Sequence, residues 1–174
     1  ALSRGDDGRE EWKTIISESG SEVVYKDKYN ELTLINAVNF LLRDRDNVNS
    51  IIALIYKARQ NGRLVRANLT QEVWLSLNES WISCETALKR PVKVTYLPGV
   101  LEGIIKGSSL FRGALYGTML HNDIFNFLRL GTYIERADNT LRVMNSKHHQ
   151  LLPTARAVSY THLRAHETLI HIVF

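Results

Sequence analysis

The sequence holds a single cysteine, Cys84, so no disulfide can close within the chain. That pattern fits a reducing compartment and places the expected location in the cytoplasm. Prolines are few, at Pro91, Pro98 and Pro153, which leaves long stretches open to helix. No apolar run approaches the ~18 residues that a membrane span needs. The opening ALSRGDDGREE has no apolar signal-peptide core and no initiating methionine, so the expectation is a chain that begins mid-protein. Sustained alternation of period two is absent as well, and KVTYL is the one weak strand candidate. There is no Gly-rich phosphate loop, nucleophile elbow or CxxC pair. The net charge is +4, and without a clustered basic patch that argues against nucleic acid.

What is present is helical periodicity. Hydrophobic residues make up 44% of the chain and charged residues 23%, enough to build one packed domain. Residues 10–19 suit a short helix carrying Trp12, Ile15 and Ile16, and residues 20–30 read as a loop. Residues 33–43 place Leu34, Ile35, Val38, Leu41 and Leu42 at helical spacing. A turn follows, with Asp46 and Asn47 as capping candidates. Residues 50–66 carry the stripe Ile51, Leu54, Ile55, Ala58, Gly62 and Val65. Thr70 is positioned to cap a helix over 71–89, whose stripe is Trp74, Leu77, Trp81, Cys84 and Leu88. Residues 99–120 hold the small pairs Gly103/Gly107 and Gly113/Gly117, which predict close helix packing. Asn122 is positioned to cap a last helix over 123–148, roughly 40 Å long at 1.5 Å per residue. Its stripe of Phe127, Leu130, Ile134, Ala137, Leu141 and Met144 repeats at 3-4-3-4-3 and is expected to face a bundle core. The fold class is therefore all-α, a single-domain helical bundle.

The polar candidates cluster in YIERADNTLR on that last helix. Glu135, Asp138 and Arg142 fall on one side of the stripe, and Arg136 falls on the other with Arg129, Tyr133 and Thr140. Asp138 and Arg142 stand at i, i+4 with the acid first, the favourable order. Two readings stay open. These charges fix the register of the bundle, or Glu135, Arg136 and Asp138 are catalytic or cation-binding groups while Arg136 and Arg142 hold a carboxylate or phosphate. Arg59, Arg63 and Arg66 form a basic ridge that could bind an anion, lie in solvent or pair with Glu135 and Asp138. Bundle metal sites use Glu together with Glu-x-x-His, and this helix supplies Glu-x-x-Asp, so neither a metal nor another cofactor is expected. His148 and His149 suit a helix C-terminus. Cys84, between Trp81 and Leu88, reads as core packing rather than a nucleophile.

Two resemblances complete the reading. Residues 158–168, VSYTHLRAHET, resemble the translation of a transposase adapter used in sequencing libraries. On that basis residues 1–157 are the partial helical domain and residues 158–174 a non-native tail, including the i, i+4 pair His162 and His166. That pair also lacks the H-E-x-x-H order of a zinc protease.

FLRLGTYIERADNTLRVM, SIIALIYKARQNGRLVRANLTQEVWLSLN and HHQLLP resemble the alpha-E family of bacterial proteins, helical proteins with an E-R motif. Thr132 departs from the arginine that often follows the glycine there. The resemblance implies a middle fragment, truncated at both ends, that lacks the family's first E-R motif. The family's genes often neighbour ATP-grasp ligases and transglutaminase-like proteases. An accessory or scaffold role beside such a ligase in a peptide-modification system is therefore expected. The alternative is an enzyme or small-ligand-binding protein using the motif charges, and a weaker alternative is nucleic-acid binding through the Arg59 ridge.

Overall fold

The structure is a computed structural model that describes residues 6–151, with side chains described from 12 to 144. His148, His149, the boundary after residue 157 and the adapter-like segment lie outside those limits. The described residues form seven α-helices and no strand. They are α1 (Asp6–Glu18), α2 (Glu22–Lys28), α3 (Leu34–Arg43), α4 (Ile51–Leu64), α5 (Gln71–Ala87), α6 (Leu97–Thr118) and α7 (Asp123–Leu151). Two 3-10 turns join them, Arg66–Asn68 before α5 and Val94–Tyr96 before α6. The KVTYL stretch is thus a 3-10 turn running into α6, with Pro98 in the first helical turn, where its missing N–H costs nothing.

Short polar side chains start the helices. Thr33 Oγ1 accepts from Asn36 N, Ser50 Oγ from Ala53 N, Thr70 Oγ1 from Val73 N and Asn122 Oδ1 from Phe125 N. The caps at Thr70 and Asn122 agree with the sequence reading. Asp46 and Asn47 do other work. Asn47 is buried and ties the 44–50 turn to its surroundings: it donates to Phe40 O and accepts from Ser21 Oγ and Asn49 N. The stretch 20–30 is a helix with short flanks rather than a loop. Tyr25 of α2 is buried against Phe40 and stacks on Tyr29, so tertiary packing holds a turn-rich sequence in helix.

The core centres on α5. Its Trp81 packs with Val38, Leu42, Ile52, Leu88 and Val92. Its Cys84 meets Ile104 of α6, and its Val73 joins Leu115, Met119 and Phe125. A further cluster of Ile16, Tyr25, Ala37 and Phe40 anchors α1 and α2 to α3. Arg43 of α3 donates to Leu88 O, meeting a carbonyl that the end of α5 leaves open.

Two glycines set the helix spacing. A Cβ at Gly62 of α4 would sit 2.7 Å from Leu77 Cδ2, and one at Gly107 of α6 would sit 2.8 Å from Ser80 Oγ. Gly103, Gly113 and Gly117 meet nothing within 4 Å, so only Gly107 of the two expected small pairs makes the close approach. Gly107→Val is expected to lower stability by about 1–3 kcal/mol through overpacking. Gly103→Ala is expected to raise it by up to ~1 kcal/mol, because the helix gains propensity without a clash. Urea denaturation of the two variants checks both signs.

Candidate functional site on the long helix

α7 meets the body of the protein through two sets of contacts. At its start, Phe125 is buried with Leu115 and Met119, with Ile124 and Leu128 packed beside it. Four turns on, Arg142 Nη1 donates to Glu18 O at the end of α1 (3.1 Å), and Arg142 Nε donates to Asp138 Oδ2 (2.7 Å). The i, i+4 pair read from the sequence is therefore formed, and it holds α7 against the C-terminus of α1, where a cation suits the helix dipole.

Between these ends the apolar stripe does not face a core. Phe127, Leu130, Ile134, Leu141 and Met144 are 50–72% exposed, and Ala137 is exposed with them. This corrects the expectation drawn from their spacing. The helix and its stripe are both real, but the line turned toward the body is Phe125, Leu128, Thr132, Glu135 and Asn139. Periodicity defines which residues share a face. It does not define which face the rest of the chain covers.

The charged candidates fall apart accordingly. Glu135 is half-buried on the body side, whereas Arg136 is exposed on the next flank. Among the described residues no hydrogen bond or ion pair engages either side chain. Arg129 leads the Arg136 flank. Its guanidinium lies over the rings of Tyr116, Phe125 and Tyr133 at 5.5–5.9 Å, and Nη2 donates to Tyr133 Oη at 2.8 Å. That hydrogen bond and charge hold the Tyr133 phenol below its ordinary pKa, with a smaller push from Arg136. His121 stacks on Phe125 and extends this aromatic group. The sequence offered Arg129 only as a flank residue. Its ring partners were not legible, because Tyr116 comes from α6.

The Arg59 ridge is similarly divided. Arg59 Nε donates to Asn78 Oδ1 on α5 (2.7 Å), and Arg66 donates to Leu69 O while lying over the Trp74 ring. Arg63 is exposed. Asp138 pairs with Arg142 and not with this ridge.

One polar cluster escaped the sequence reading. Lys28 Nζ bridges Asp44 Oδ1 (2.7 Å) and Asp46 Oδ2 (2.8 Å), joining α2 to the turn before α4. Lys28 in turn holds the Asp46 carboxyl below its usual range. The two acids are visible in DRDNVNS, but their lysine is distant in sequence. Among the described residues no group of three or more His, Cys, Asp or Glu is arranged to hold a metal ion. No helix among them is long and apolar enough to cross a membrane.

An all-helical domain with a Glu-Arg dipeptide on its longest helix defines the class of protein. The chain belongs to the Alpha-E family, described as a predicted alpha-helical domain with a conserved ER motif, whose model matches residues 1–172. No curated protein and no solved structure matches it.

Removing Arg142 should loosen α7. Arg142→Gln is expected to cost about 0.5–1.5 kcal/mol, the sum of a half-exposed ion pair and one capping hydrogen bond. Arg136→Gln should stay within about 0.5 kcal/mol of the parent, as an exposed substitution does. Thermal unfolding of both reports the difference. Cys84 supplies a second check, because burial pushes its thiol up to about 11. At mildly alkaline pH a disulfide reagent should modify the folded chain at least ~100-fold more slowly than the urea-unfolded chain.

Proposed function

We propose that this domain is an accessory or scaffold component of a bacterial, cytoplasmic peptide-ligating or peptide-modifying system. Its partner is an ATP-grasp-type ligase, with a transglutaminase-like protein as a second candidate partner. The observation that supports this reading is the divergence of Glu135 and Arg136 on α7, one half-buried toward the body and the other on an exposed flank. Charges separated in this way do not enclose one small substrate, as a catalytic constellation must. They suit contacts with separate elements of a protein surface, where an exposed arginine gives bidentate, partner-selective pairing. Asp138 and Arg142 support the same reading, since both hold α7 in place. The choice of ligase rests on the family resemblance and on the company its genes keep.

Native co-purification of the tagged domain with the ligase encoded beside it is the test. A stable complex is expected, weakened about tenfold or more by Arg136→Glu while the melting temperature is retained. Reproducible absence of a complex contradicts the proposal. A complex indifferent to Arg136→Glu removes the motif from the interface.

A further inference from the structure

The exposed seam on α7 has no use within the fold. Phe127, Ile134 and Leu141 occupy one position of a heptad and Leu130, Ala137 and Met144 the other, the alternation of a two-stranded coiled coil. It spans roughly 25 Å of helix at 1.5 Å per residue. The body of the protein lies on the opposite side of α7, so a second helix can approach without meeting α1–α6.

We propose that the occupant is α7 of a second copy, paired in parallel and in register, with the two bodies facing outward. Charge complementarity selects this arrangement. Glu135 and Asp138 border one edge of the seam, and Arg129 and Arg136 border the other. Parallel pairing sets the acidic edge of one copy against the basic edge of the other at the same height, on both sides of the seam. Antiparallel pairing centred on the seam sets Arg136 near Arg136 and Glu135 near Glu135, which is repulsive. A free peptide of this length would have to fold in order to pair. Here α7 is already held helical at Phe125 and at Arg142, so association does not carry that ordering cost. Ala137 places a small side chain within the seam and permits close approach. The inference stands apart from the accessory role, which concerns a different partner.

Sedimentation velocity over a concentration series tests it, using the full chain. The parent is expected to shift from monomer to dimer as concentration rises. Ile134→Glu should remain monomeric with unchanged helix content, because Ile134 is 61% exposed in the single chain and its loss opens no cavity. Phe127→Cys tests the direction. Parallel pairing brings the two thiols to one level and gives a disulfide-linked dimer on mild oxidation, whereas antiparallel pairing keeps them roughly 25 Å apart. The parent is the control, since its Cys84 is buried. A chain that stays monomeric at every concentration overturns the proposal, as does a dimer that survives Ile134→Glu. A dimer abolished by Ile134→Glu but never cross-linked through Phe127→Cys overturns the parallel arrangement. A monomeric chain whose ligase complex is lost with Ile134→Glu assigns the seam to that partner instead.

Discussion

The close packing of α5 against its two neighbours is the constraint on which the rest of the structure depends. On one side Gly62 lets α4 approach Leu77, and on the other Gly107 lets α6 approach Ser80. Both contacts would be occupied by any larger residue. With the spacing fixed in this way, the buried line Val73, Leu77, Trp81 and Cys84 reaches three of the four apolar clusters. Each fully buried side chain of that kind contributes about 1.5–3 kcal/mol, so the line outweighs any exposed ion pair in the molecule.

α7 stands in contrast. Its N-terminal turn belongs to the core through Phe125, and its later part is tied to α1 by Arg142. Between them the helix leans on the body with Thr132, Glu135 and Asn139, which are small or polar. A helix fixed at two points and apolar on its outer face is well placed to carry contacts with another chain. The Glu-Arg dipeptide lies in the middle of this span, so its charges are displayed by the same geometry that exposes the seam.

Much of the fold was legible in the sequence, and the exceptions have physical causes. The α5 stripe was read correctly because a helix packed on several sides shows its buried line directly as Trp81, Cys84 and Leu88. The caps at Thr70 and Asn122 were legible because the interaction is local, within three residues. The α2 helix was missed because Tyr25 is held by Phe40, a contact that no local pattern encodes. The α7 stripe was read as core because a clean heptad looks the same whether or not its partner is present. At the candidate site, the Asp138–Arg142 pair followed from i, i+4 spacing. The tie from Arg142 to Glu18 O and the rings around Arg129 required tertiary structure.

Hydrogen exchange on the native chain measures the central claim, that α5 is the element around which the fold is organised. The slowest amides should fall within α5, from Leu77 to Cys84, and should exchange only through global unfolding. If the slowest amides instead lie on α7 around Tyr133 to Arg142, with α5 exchanging earlier, the account of the fold given above is wrong.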